Sequence, residues 1–269
     1  MDAIIDKAFL IDARRNAYIE CTENYLSSNT IVGVFGDDIP LEIFYACGTV
    51  PVPIEGVDSH IFRFGKEGEW QDHCDVIKST LIYLTTQKCP ILYSCKMYVL
   101  QNNCQKFIDA IRANTEKPVL VYIDETSLID ELCKVYGTSY SETLMKDARG
   151  DLEYIKAVLQ KARHCPYLTC EEFFLVEFYS KYITDLKMRR AYFEDLERKL
   201  ITSTDECKIE EVTAFCPRGN YEKVCQDLSM KHTTPATFKT ANLRIKRVWE
   251  EGIYGYANCP FTCQKKLSY

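Results

Sequence analysis

The sequence predicts an α/β fold in which a mostly parallel sheet domain is followed by a helical segment. Three observations support this prediction. Short runs rich in β-branched residues alternate with runs of helical period between residues 30 and 123. From residue 139 to about residue 201 the sequence becomes almost wholly helical in pattern and rich in charge. The 269 residues are 46% hydrophobic and 27% charged, as in an ordinary globular protein.

Four extended runs are predicted to form the parallel sheet: 30–35, 49–54, 96–100 and 118–123. Helical runs separate them, and this alternation is typical of parallel strands joined by crossover helices. The second run contains Pro51 and Pro53, which lack a backbone N–H. We therefore expect that strand to lie at an edge of the sheet or to pair only near its end.

Helices are predicted where apolar residues recur every three or four positions or where caps are visible. An N-terminal helix covers residues 2–26, and a short helix at 41–47 follows Pro40 and ends at Gly48. Further helices begin near Cys74 and at Cys104. A strand and turn at 211–219 and a helix at 221–228 are predicted near the end of the chain.

The charge and hydropathy of the chain exclude several classes of protein. The net charge is −6 and the isoelectric point is about 5.4, which disfavours a nucleic-acid-binding protein. We find no apolar run near the roughly 18 residues that cross a bilayer. The opening residues are acidic and amphipathic, unlike a signal peptide. We expect a cytoplasmic protein with no membrane partner.

The chain contains 14 cysteines, an unusually high number. They lack the C-x-x-C spacing of zinc sites, and the four histidines are scattered. A disulfide framework is not expected in a chain of this length that lacks a signal sequence. We therefore predict a reduced protein in which most cysteines are small buried apolar residues and a few bind metal.

Cys104 and Cys74 are the cysteines best placed for metal chemistry. Cys104 follows the predicted strand 96–100 and begins a helix, and ligands collect at the carboxyl ends of strands in open α/β sheets. Cys74 begins a helix after a polar loop. The positive end of a helix dipole lowers the pKa of a thiol and favours the thiolate that binds iron. One helix and one strand separate the two cysteines, so we expect them to lie close together.

Two blocks of sequence resemble a known family. Residues 33–52, GVFGDDIPLEIFYACGTVPV, resemble a strand followed by Pro-Glu-Glu, two apolar residues and a later Ala-Ala-Gly. Cys74 to Thr80, then Lys88-Cys89-Pro90 and Asn103 to Lys106, resemble a CPxIKSS, CP and TCDGKK block in order and spacing. Together they resemble the D-component subunits of the 2-hydroxyacyl-CoA dehydratase and benzoyl-CoA reductase family, in a C-terminally shortened form.

The resemblance implies a [4Fe–4S] cluster held by three cysteines. The first two ligands correspond to Cys74 and Cys104, whereas Cys89 resembles a structural companion. The third comes from a second α/β domain in the family, and here Cys259, Cys263 or Cys216 could supply it. The implied division is an N-terminal helix at 1–29, a Rossmann-like cluster-binding domain at 30–138, a helical segment at 139–204 and a remnant of the second domain at 205–269.

The implied activity is a lyase reaction, the radical elimination of water from a 2-hydroxyacyl-CoA. One electron on the thioester carbonyl gives a ketyl radical that expels the 2-hydroxyl group. The family's partners are an ATP-dependent iron–sulfur activator and a second dehydratase-type subunit; a dimer of this chain is the alternative. The catalytic residue is unassigned, and Glu42 is only a weak candidate for proton transfer. Two alternatives stay open: a non-catalytic or electron-transferring relative without the substrate domain, and an α/β protein without metal.

Overall fold

A computed structural model describes residues 4–36, 38–56, 59–66, 70, 75–102, 105–163, 165, 168, 172–173 and 175–201. The elements predicted at 211–219 and 221–228, and the whole segment 205–269, lie outside these residues. Among the described helices, none combines the length and the apolar composition needed to cross a bilayer.

Four strands form one all-parallel sheet, as predicted. They are β1 Ile31–Phe35, β2 Val50–Pro53, β3 Met97–Gln101 and β4 Val119–Tyr122. Every strand end lies within one residue of its predicted position. The strand order is β2-β1-β3-β4, so the proline-containing β2 is an edge strand. All three strand pairs are parallel, with Val32 opposite Met97 and Tyr98 opposite Val119.

Eight α-helices are defined among the described residues: α1 Lys7–Ser27, α2 Leu41–Ala46, α3 Asp75–Thr86, α4 Pro90–Ser94, α5 Gln105–Ala113, α6 Glu125–Tyr136, α7 Glu142–Arg163 and α8 Leu186–Ile201. Short 3-10 helices occupy Ser59–Phe64 and Ser180–Tyr182, and a π-helical turn occupies Leu175–Tyr179. Within the described part of the predicted helical segment, α7 and α8 are the two long helices, and short π-helical and 3-10 turns lie between them.

The two faces of the sheet contact different helices because successive side chains of a strand point in opposite directions. Ile31 and Phe35 of β1 belong to a core cluster that includes residues of α1, α3, α4 and α5. Val32 and Val34 belong to a second cluster with residues of α2 and α6. Helix α7 contacts both α2 and α8. Strands β1 and β3 are buried along their whole length.

Two buried hydroxyl groups of helix α3 form hydrogen bonds with the chain just beyond β2. The backbone N–H of Gly56 donates to Thr80 Oγ1 at 2.8 Å, and Ser79 Oγ donates to the carbonyl of Gly56. Both side chains are buried. A buried amide that loses its acceptor has no water to replace it, so these bonds fix the position of α3 on the sheet.

We predict that Thr80→Val destabilises the protein. Valine keeps the shape of threonine but leaves the buried Gly56 N–H without an acceptor, so the free energy of unfolding should fall by roughly 1–3 kcal/mol. Urea denaturation followed by circular dichroism measures the change. Thr22→Val is the control, because that exposed hydroxyl only donates to the Tyr18 carbonyl of its own helix. Equal effects of the two substitutions would contradict the prediction.

Candidate functional site

The candidate site lies at the carboxyl edge, the edge of the sheet where all four parallel strands end. The chain passes from β1 to β2 on one side and then returns to β3 on the other side of β1. The neighbouring strands β1 and β3 therefore flank the point where the order of the strands reverses. In open α/β sheets, ligands bind in the crevice outside the carboxyl ends of the strands at this point.

Gly36 and Gln101 meet at the crevice between β1 and β3. Gly36 has φ = 138°, a value that side-chain-bearing residues rarely adopt. A Cβ atom on Gly36 would lie 2.4 Å from Gln101 Cβ, so the two residues are in close contact. Gln101 is buried, and its Nε2 atom donates to Asp38 Oδ2. This hydrogen bond joins the end of β3 to the loop that follows β1.

Cys74 and Cys104 lie outside the described residues, so the predicted closeness of their sulfur atoms stays a prediction. The helices that follow them are described: α3 begins at Asp75 and α5 begins at Gln105. These two helices contribute to the same core cluster and contact one another. Phe107 of α5 stacks on Phe35 of β1, with ring centroids 3.9 Å apart. The possible third ligands Cys216, Cys259 and Cys263 also lie outside the described residues.

The described cysteines have the properties of core residues. Burial is the main cause that raises the pKa of the Cys21 thiol to about 12. Burial, followed by the nearby Cys133 thiol at an Sγ–Sγ distance of 3.9 Å, raises the pKa of Cys47 to about 12. Burial likewise raises the pKa of Cys89 and of Cys95. A raised pKa disfavours the thiolate form, so these thiols are poor metal ligands.

Within the described ranges, no three His, Cys, Asp or Glu side chains are grouped so that they could hold a metal ion. Both candidate cluster ligands lie outside those ranges, so this finding concerns the rest of the fold.

Glu42, the weak candidate for proton transfer, contacts a neighbouring helix. Its Oε1 atom accepts a hydrogen bond of 3.4 Å from Arg149 Nε, which joins α2 to α7. An ion pair of this kind, with one largely exposed partner, contributes little to stability. The contact gives Glu42 a packing role between two helices, and its assignment as a proton carrier stays untested.

Sequence reasoning missed a second feature of the carboxyl edge, which we call the Arg189 cavity. It has a volume of about 90 Å³ beside the ends of β1 and β2, and Gly36, Pro53, Glu55, Lys181 and Arg189 help to line it. A signal for it exists in the sequence. Arg189 lies three residues after Leu186 and four before Phe193, both of which are buried, so a cation occupies the apolar face of α8.

No model of a protein family matches the sequence, and no curated protein matches it either. The resemblance to the dehydratase family therefore depends on the two sequence blocks at residues 33–52 and 74–106.

We predict that Gly36→Ala destabilises the protein by more than about 1 kcal/mol, because alanine is strained at this φ and its Cβ collides with Gln101. Chemical denaturation measures the change.

Gly150→Ala is the matched control for Gly36→Ala. Gly150 lies within α7, and a Cβ atom there meets nothing within 4 Å. Alanine should therefore raise the stability of the protein by roughly 0.5–1 kcal/mol. A Gly36→Ala protein as stable as the wild type would contradict the positive φ of Gly36 and its close contact with Gln101.

Proposed function

We propose that this chain is an iron–sulfur subunit of the 2-hydroxyacyl-CoA dehydratase type, in which Cys74 and Cys104 bind a [4Fe–4S] cluster. The observation that carries the proposal is the contact between α3 and α5 on one face of the sheet. Each of these helices begins at the residue that follows one of the two cysteines. Because α3 and α5 are neighbours in one layer, the proposal places Cys74 and Cys104 at one cluster.

A position just before a helix also suits a thiolate ligand. Backbone N–H groups in the first turn of a helix are free of intrahelical partners and favour a negative charge beside them. When bound, the cluster supplies one electron and a Lewis-acidic iron. The protein's part is to hold α3 and α5 in position. It does so through the stacked Phe35 and Phe107 rings and through the Thr80 hydroxyl that holds Gly56.

The size of the carboxyl-edge cavity bears on substrate binding. The Arg189 cavity is about 90 Å³, well below the roughly 300–1,000 Å³ of a typical small-molecule site. The proposal therefore assigns the acyl-CoA to surface beyond this cavity and to a second dehydratase-type subunit as partner. The ATP-dependent iron–sulfur activator is assigned as the electron donor.

The same observation favours one alternative function, a non-catalytic or electron-transferring relative that keeps the cluster but has no substrate site. Such a protein needs only the cluster and a docking partner. Both functions predict the same iron content, and only the dehydratase subunit is expected to convert a substrate.

We predict that the chain, purified without oxygen, contains iron and sulfide at about four of each per chain. Cys74→Ser and Cys104→Ser should each lose most of the iron and the electron paramagnetic resonance signal of the reduced cluster. Cys133→Ser is the control, since Cys133 is a half-buried thiol of α6 and should keep both. Single substitutions of Cys216, Cys259 and Cys263 then identify the third ligand by the same iron assay.

A wild-type chain without iron above background would contradict the proposal. So would iron binding that survives the loss of both Cys74 and Cys104.

Turnover separates the two functions. The iron-loaded chain, mixed with an ATP-dependent activator, a second subunit of the dehydratase type and a 2-hydroxyacyl-CoA, should form the unsaturated acyl-CoA. A chain that holds its cluster and accepts an electron but forms no product in this mixture is the electron-transferring relative.

A further inference from the structure

Arg189 is a buried cation on the inner face of α8. The residue is 5% exposed, and Asp185 caps the helix one turn earlier by accepting from the N–H of Met188. The next residue, Arg190, forms ion pairs with Asp151 and Glu194. Arg189 makes no such pair: among the described residues, no carboxylate contacts its guanidinium group within ion-pair distance.

The buried side chain of Arg189 includes one polar atom that the described residues do not satisfy. Its Nε atom has no hydrogen-bond partner among the described residues. Burial lowers the pKa of Arg189, and the neighbouring Tyr45 hydroxyl is the one group that opposes this shift. Burial in turn raises the pKa of Tyr45, so the phenol carries no negative charge at neutral pH. A buried charge without a partner costs several kcal/mol, and such groups usually pair with an anion.

The cavity beside Arg189 has room for a small anion. Its volume of about 90 Å³ is several times the roughly 10–15 Å³ that a cavity needs to hold one water. Gly36, Leu41 and Lys181 in its wall are only half-buried, so small solutes can reach it from the carboxyl edge. Its lining includes the guanidinium group of Arg189, the ammonium group of Lys181 and the carboxylate of Glu55.

We propose that the Arg189 cavity binds the carboxylate group of a small organic acid. The planar guanidinium fork matches a carboxylate with two parallel hydrogen bonds. The single positive charge of the Arg189 guanidinium group matches a monoanion. Phosphate carries a charge nearer −2 at neutral pH, and the Glu55 carboxylate in the wall opposes the second charge. The site is independent of Cys74 and Cys104 and requires no cluster.

Sodium acetate is the probe. We expect acetate to raise the thermal unfolding temperature of the full chain in a saturable manner, compared with sodium chloride at equal ionic strength, since a ligand that binds only the folded state stabilises it. Inorganic phosphate at equal ionic strength should give a smaller shift. Acetate should also show line broadening in ligand-observed NMR when the wild-type chain is added.

Arg189→Met should abolish the acetate response, and Arg189→Lys should weaken acetate binding by roughly tenfold or more, because it keeps the charge but loses the fork. Arg198→Met is the control: Arg198 lies on the same helix with its side chain 76% exposed, so the response should be unchanged. If Arg189→Met does not fold, the acetate response of Arg189→Lys tests the proposal. The proposal is overturned if the wild type gives no acetate-specific shift or broadening, if phosphate binds as well as acetate, or if either Arg189 variant binds acetate as the wild type does.

Discussion

The burial of β1 and β3 between two helical layers is the constraint on which the rest of the fold depends. Each strand is buried along its whole length, and its alternating side chains enter two separate core clusters. One close contact connects β1 and β3 to helix α4. A Cβ atom on Gly33 would lie 2.6 Å from the ring of Tyr98 and 2.6 Å from Ile54, so only glycine lets the large buried ring cross β1. The Tyr98 hydroxyl then donates to the Leu92 carbonyl of α4 at 2.8 Å.

The position of the candidate site follows from this packing. In a parallel sheet covered on both faces, the loops after the strands collect at the carboxyl edge, and polar groups are placed there without entering the core. Two distinct features share this edge through Gly36: the crevice toward Gln101 and β3, and the Arg189 cavity toward β2. The first follows Phe35, whose ring stacks on Phe107 of the helix after Cys104, and the second contains the buried cation. One scaffold can thus carry two binding sites with different chemistry.

The sheet could be predicted from the sequence because its signals are local. β-branched runs define the strands, and the prolines of β2 define an edge. Helix α6 lies in a stretch with no predicted element, although Asp124 caps its start and Gly137, with φ = 67°, ends it. The five residues of α4 give too little periodicity to detect. The π-helical turn depends on packing among Phe178, Tyr179 and Tyr182, whose rings meet edge to face, and no local pattern encodes such contacts.

The candidate site was only partly predictable, because local signals are visible in the sequence and contacts between distant elements are not. A cysteine before a helix is visible in the sequence, whereas the Arg189 cavity exists only because α8, α2 and the end of β2 come together in space. The central claim, that Cys74 and Cys104 bind one cluster, is tested most directly by X-ray diffraction at the iron absorption edge from crystals grown without oxygen. The account predicts a strong anomalous peak that contacts both sulfur atoms. Iron bound elsewhere, or two sulfur atoms more than roughly 12 Å apart, too far for one small cluster, would contradict it.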